Sequence, residues 1–191
     1  MGKNKTIKNK NVYSLNDYNS GDGMLTSVWG PGMWHSLHTI SFNYPINPTK
    51  NDKRNYRDYI INMKYILPCG KCRINLRDNF KKLPLKMKHM KNRETFSRYV
   101  YELHELINTM LGKKSGLSYN DVRERYEDFR ARCTISLKEI KPKRKTYKKK
   151  ENGCTEPLYG EKSKCILKII PNTYKEDTFQ IDEKCVKKVI E

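Results

Sequence analysis

The stretch FSRYVYELHELINTMLGKK, residues 96–114, sets its apolar side chains at Phe96, Tyr99, Val100, Leu103, Ile107, Met110 and Leu111. That is the i, i+3, i+4, i+7 spacing of one helix face. Gly112 ends the run with Lys113 and Lys114 behind it, as a helix C-terminus favours. Upstream, Trp34, Leu37, His38 and Phe42 share a helical stretch opened by Ser27 and Pro31. Tyr56, Tyr59, Ile60, Met63, Ile66 and Leu67 repeat the spacing until Pro68 stops it. A third helix is predicted from the Cys69 region to about Phe80, before Pro84. Downstream, Ser118 with Asp121 reads as a cap opening a last helix to about Cys133. Five helices with short connections make an all-α bundle. Cys165–Ile170 (CILKII) is β-branched and reads as a strand, although the segment around it is too short to build a sheet alone.

The chain has 191 residues, enough for one domain with a true core and an appendage. Lys and Arg number 40 against 21 acids, a net charge of +19, and more than half of that excess sits in two short segments. Residues 1–10 carry +4 and residues 138–150 (KEIKPKRKTYKKK) carry +7, both without apolar periodicity. The expected organisation is therefore a basic tail (1–23), a compact domain (24–134), a basic linker (135–150) and a small separate C-terminal extension (151–191). No run approaches the ~18 apolar residues of a membrane span, and MGKNKTIKNKN offers no apolar core for a secretory signal. A protein that is neither membrane-spanning nor secreted is expected.

Six cysteines in such a chain point to metal or redox chemistry before a structural disulfide framework. Cys69-Gly-Lys-Cys72 follows Pro68 and opens a helix, where free backbone N–H groups, the positive end of the helix dipole, Lys71 and Arg73 all favour a thiolate. Half of a zinc site is the competing reading, weakened because the other cysteines, at 133, 154, 165 and 185, include no second C-x-x-C. A thioredoxin-like setting would place the pair after a buried strand, whereas here a helix precedes it. A redox dithiol needs an electron acceptor. Trp34 and His38 lie at i, i+4, as do His104 and Asn108, each pair beside an apolar stripe, which suits a cofactor pocket as well as ordinary core packing.

Four segments taken in order, WGPGMWHSLHTISFNYP (29–45), YILPCGKC (65–72), HELINTMLGK (104–113) and RERY (123–126), resemble the Erv/ALR flavin-linked sulfhydryl oxidases. The matching family pattern is W-x-x-L-H…Y-P, P-C-x-x-C, H-N-x-V-N-x-x-L-x-K and R-W. The resemblance implies a four-helix bundle with a fifth short helix, FAD seated between helices, and a homodimer. It implies cofactor contacts from Gly30, Trp34, His38, Tyr44, His104, Asn108, Lys113, Arg125 and Tyr126. Cys72 would lie against the flavin and Cys69 would exchange with the incoming thiol. The implied reaction oxidises protein dithiols to disulfides and passes the electrons through FAD to O2, giving H2O2.

The chain departs from the family in places. Glu105 replaces the first Asn of H-N-x-V-N, and Tyr101 and Ser118 or Tyr119 stand where cellular relatives have a disulfide, so packing of Tyr101 and Tyr126 must supply that rigidity. The Lys, Asn and Ile bias with missing structural cysteines resembles the viral branch of giant DNA viruses, implying host cytoplasm or virion as its location. Cys154 and Cys165 form a candidate electron shuttle, with a structural clip as the equal alternative, and Cys185 is left for Cys133 or free. The linker 138–150 suits nucleic acid or an anionic membrane surface, although Tyr147 alone interleaves its charges. Met1-Gly2-Lys3-Asn4-Lys5-Thr6 fits the loose N-myristoylation pattern. A catalytically silent scaffold that works through its basic segments is the competing function class.

Overall fold

The computed structural model describes residues 14–19, 21, 23–131, 154 and 156–188. The N-myristoylation pattern, Cys133 and the basic run 138–150, with its nucleic-acid and membrane expectations, lie outside the described residues. After a single-turn α1 (Leu15–Asn19) come α2 (Thr26–Phe42), α3 (Lys50–Ile66), α4 (Gly70–Lys82), a 3₁₀ turn (Met87–Met90), α5 (Arg93–Met110) and the short α6 (Tyr119–Glu127). A second 3₁₀ turn spans Glu183–Cys185. The four long helices form the bundle and α6 is the short fifth, packed on α2 and α5.

Local chemistry sets the helix ends. At α3 the Thr49 hydroxyl accepts from the Asp52 amide at 3.1 Å, and the Asp52 carboxylate accepts from the Thr49 amide at 2.8 Å. This reciprocal cap starts the helix at Lys50, a turn and a half before the apolar spacing first shows at Tyr56. At α4 the cap is Cys69 itself, whose Sγ accepts from the Cys72 amide at 3.1 Å. Gly112, at φ +68°, turns the chain out of α5. Ser118 caps α6 through the Asp121 amide, as its spacing predicts. That helix stops at Glu127 instead of running on toward Cys133, because Arg130 folds back. Its guanidinium donates to Glu127 Oε2 at 2.7 Å, to Asn43 Oδ1 at 3.2 Å and to the Phe42 carbonyl, tying the chain to the end of α2.

Leu37, Ile60, Met63, Leu76, Phe96, Val100 and Leu103 fill the bundle interior. Phe42, Tyr119 and Val122 form a second cluster under α6, flanked by Tyr101 and Tyr126. The Tyr101 hydroxyl donates to the Leu117 carbonyl at 2.8 Å, so a hydrogen bond and ring packing on Tyr119 tie α5 to the loop where cellular relatives were expected to have a disulfide.

Cys165–Ile170 is not a strand. Among the described residues the only β-type pairings are isolated bridges, Gly23 with Cys69 and Ala131 with Pro157. The C-terminal extension touches the bundle at several points. The Leu158 amide donates to the Arg130 carbonyl at 2.6 Å, the Lys187 amide donates to Asp128 Oδ1 at 3.0 Å, and Phe179 packs beside α2 and α6.

Candidate active site

Pro68 ends α3 and Cys69 opens α4, so the cysteine pair sits on a tight corner between two core helices. The two sulfurs are bonded, with their Cα atoms 5.2 Å apart. Both cysteines line a 410 Å³ cavity enclosed by α2 to α5, with Gly30, Met33, Trp34, Leu103 and Ile107 among its walls. The lining is overwhelmingly apolar, and the volume falls within the range of small-molecule sites. Gly30 is buried, yet a Cβ built there would meet only Thr26 Cγ2, at 3.7 Å; the space beside it belongs to the cavity. Thr26 Oγ1 lies 3.5 Å from Cys72 Sγ. The backbone of Gly23 and Met24 runs alongside, with the Met24 amide donating to the Pro68 carbonyl at 2.7 Å.

Behind the cavity wall, a row of rings continues from Trp34. Trp34 stacks on His104, centroids 3.9 Å apart and planes 8° from parallel. His38 Nε2 and His104 Nδ1 are 3.0 Å apart, so one must donate to the other and both rings are neutral or share a proton. Burial is the main cause holding His38 down to about 3, with the charges of His104 and His35 adding to it; burial also holds His104 down to about 4, with Glu105 opposing and Lys113 adding to it. His38 lies 5.2 Å from Tyr126, which stacks on Phe42 at 5.6 Å. Burial pushes the Tyr126 hydroxyl up to about 12. Along this row, His35 Nδ1 and His38 Nδ1 are buried and have no hydrogen-bond partner among the described residues.

Trp34, His38, His104 and Tyr126 are thus brought together, and Gly30, Cys69 and Cys72 share the adjoining cavity. Other expected site residues stand apart from it. Tyr44 is wholly buried and is not among the residues lining the cavity, its hydroxyl donating to the Met90 carbonyl at 3.0 Å and its ring set edge-on to Tyr56. Asn108 spends its amide on Glu105 Oε1 at 3.0 Å, so the residue that departs from the family pattern also occupies its neighbour. Lys113 follows the end of α5, and its amide donates to the Asn108 carbonyl. Arg125 lies with its guanidinium 5.5 Å from the Phe179 ring centre.

The shuttle expectation is also corrected. Cys154 is disulfide-bonded while Cys165 is free and exposed, so these two are not partners; Cys185 is free as well. Residues that the sequence reading missed include Thr26, Met33, His35, Phe42 and Phe179. His35 follows Trp34 directly and was the one with a signal, since i, i+3 from it lies His38.

An apolar cavity walled by a disulfide, with unpartnered imidazole nitrogens and a cation along the ring row that continues from Trp34, fits a planar, electron-accepting cofactor with a polar, anionic extension. Comparison with known proteins agrees. Residues 31–127 match the Erv1 / Alr family. A probable FAD-linked sulfhydryl oxidase of Acanthamoeba polyphaga mimivirus is 38% identical over 104 residues, 54% of this chain and 72% of that protein. The FAD-linked sulfhydryl oxidase of African swine fever virus is 29% identical over 99 residues, 52% of this chain and 80% of that protein. In fold, the FAD binding domain of Erv1 from Saccharomyces cerevisiae aligns with a TM-score of 0.50 at 24% identity, covering 55% of this chain and 96% of its own. The match to the family runs from Pro31 in α2 to the end of α6, through both cysteines and every ring of the row except Phe179, and the chain belongs to the Erv1/Alr family.

Proposed function

We propose that the chain is a viral FAD-dependent thiol oxidase that makes disulfide bonds in reduced proteins. One observation carries the reading: the redox disulfide Cys69–Cys72 forms part of the wall of an apolar, ring-lined cavity. A substrate thiolate attacks Cys69 Sγ, forming a mixed disulfide and releasing the Cys72 thiolate. A second substrate thiolate then breaks that mixed disulfide, and the substrate leaves oxidised while Cys69 and Cys72 are left as a dithiol. The start of α4 suits this, because its dipole and exposed Lys71 stabilise a thiolate at either position. FAD held in this cavity would supply the two-electron acceptor for that dithiol, with O2 as the final oxidant and H2O2 as its product.

Gly30, Trp34, His38, His104 and Tyr126 would hold the cofactor, with Arg125 and Lys113 available to its pyrophosphate. The neutral His38–His104 pair matters for this role, since uncharged imidazoles can donate and accept within an apolar pocket. Residues 24–134 form the catalytic domain. We assign a homodimer as the working form, supported by exposed Tyr59 and Ile66 at i, i+7 on α3 and exposed Val28 on α2. Among the described residues no helix is long and apolar enough to cross a membrane. The host cytoplasm or the virion is the proposed site of action, following the viral relatives.

The test is direct. Purified protein should be yellow, absorbing near ~450 nm, and should form one H2O2 for each dithiothreitol oxidised. Protein that neither carries nor takes up FAD would end the reading.

A further inference from the structure

Phe179 is half-buried, whereas residues 171–178 before it and Gln180 after it are exposed. Its ring is seated 5.1 Å from His35, nearly parallel to Tyr126 at 6.1 Å and 15°, and edge-on to Phe129 at 6.0 Å. The Arg125 guanidinium lies over it at 5.5 Å. The segment that carries it is fastened on both sides, by Leu158 to the Arg130 carbonyl and by Lys187 to Asp128. Gly160 is pressed against the Lys184–Cys185 backbone, which closes the segment on itself; a Cβ there would come within 2.7 Å of the Lys184 carbonyl oxygen.

The rings that Phe179 meets are not a random patch of surface. They are the far end of the row that begins at Trp34 in the cavity wall and passes through His104, His38 and Tyr126. The reacting ring system of FAD must touch the cysteines, so it occupies the cavity. The rest of the cofactor, a chain, a pyrophosphate and an adenosine, has to extend away from Cys69 and Cys72. Along the row lie the two unpartnered nitrogens of His35 and His38, and beside its end lies Arg125, which is in no ion pair among the described residues. These are the groups that an anionic, nitrogen-rich extension would use.

We propose that the C-terminal segment is a built-in wall of the FAD site, and that Phe179, against His35, Tyr126 and Arg125, encloses the end of the cofactor remote from Cys69 and Cys72. The proposal rests on the FAD reading above. It turns an extension without a recognisable motif into part of the binding site, and it predicts that cofactor retention depends on residues some fifty positions beyond α6.

The experiment measures FAD release from the full-length protein, followed as the rise in flavin fluorescence after dilution, for Phe179→Ala, Phe179→Leu and Phe179→Tyr. Leu keeps the apolar bulk and removes the ring, so it guards against a variant that simply misfolds. Alanine and leucine should speed release by about three- to tenfold, the value of one aromatic contact, and tyrosine should restore slow release. The melting temperature of the FAD-free protein should fall by no more than a few degrees with leucine, which loses the ring contacts but keeps the apolar bulk, so faster release beyond that reports the bound state. Release from the leucine variant at the wild-type rate would overturn the wall while leaving the oxidase intact. Wild-type protein that binds no FAD would overturn both.

Discussion

Cys69 and Cys72 and the cysteines of the C-terminal segment occupy opposite kinds of setting. The first pair sits on a corner between two core helices, at the positive end of α4, facing an enclosed apolar cavity. Cys165 stands exposed in an irregular stretch and Cys185 closes a single 3₁₀ turn, with neither sulfur bonded. The same side chain is an electron carrier in one place and a plain thiol in the other, because thiolate stability, partner geometry and access to an acceptor come from the fold and not from the cysteine.

The largest expected effect breaks the first setting. Cys69→Ser and Cys72→Ser each remove one sulfur of the bond that substrate must attack, and oxygen consumption with dithiothreitol should fall on the order of a thousandfold or more. FAD should stay bound in both, since the ring row is untouched. Substantial turnover in either variant would move the chemistry elsewhere in the molecule.

A smaller effect comes from His104→Ala. It removes the stack on Trp34 and leaves His38 Nε2 buried without its partner, a cost of about 1–3 kcal/mol. Melting should drop by about 5–10 °C and FAD should be held about tenfold less tightly. Flavin content unaltered after dialysis would show His104 to be ordinary core. Acid should probe the same pair. An unfolded histidine protonates near pH 6.5, whereas burial keeps His38 and His104 neutral down to about 3 and about 4. Below about pH 6.5 the unfolded chain therefore binds more protons, so the stability is complete above that pH and is lost as pH falls toward 4, at up to about 1.4 kcal/mol per pH unit for each ring. The capping carboxylates of Asp52 and Asp121, both held below their ordinary value chiefly by hydrogen bonds to Thr49 and Ser118, act in a lower window. Melting that stays level from neutrality to pH 4, or a slope unchanged in His104→Ala, would contradict the buried neutral pair.

Sequence periodicity found the body and the end of α5, because Phe96, Tyr99, Val100 and Leu103 bury one continuous face and Gly112 supplies a clear stop. It missed where α3 begins, since that end is fixed by the polar Thr49–Asp52 cap in a stretch with no apolar rhythm. It overran α6, because the Arg130 clasp onto Glu127 and Phe42 is a contact between distant segments with no local signature. The Cys69–Cys72 pair and the gathering of Trp34, His38, His104 and Tyr126 were legible from spacing and resemblance together. Tyr44 lies in the core cluster and not in the cavity lining, a distinction without a sequence signal because an aromatic before a proline looks the same in either place. Phe179 could not be found at all, as its role exists only once the C-terminal segment has folded back.

A lesser perturbation tests the edge of the first setting. Gly23 lies at φ +129°, and a Cβ there would sit 2.7 Å from Cys69 Cα and run into the Pro68 carbonyl. Gly23→Ala should therefore push the 23–25 backbone off the Cys69 corner, lowering activity on reduced protein roughly several-fold while sparing melting of the bundle. Normal activity would show that the bridge does not shape access to Cys69.

The smallest expected effect completes the comparison. Cys165 is free and exposed, and a lone thiol cannot hand on a disulfide without first gaining a partner sulfur. Its neighbours in CILKII, Ile166 and Leu167, are also exposed, so no packed surface presents it to Cys69. Cys165→Ser should accordingly leave turnover within about twofold of wild type, both with dithiothreitol and with a bulky reduced protein. Cys154 differs in being disulfide-bonded already, so Cys154→Ser is the variant that would expose a relay, through loss on the protein substrate alone. If Cys165→Ser instead lost activity on the protein and kept it on dithiothreitol, an exposed tail thiol would be carrying electrons to the core pair, and setting alone would no longer separate the two groups of cysteines.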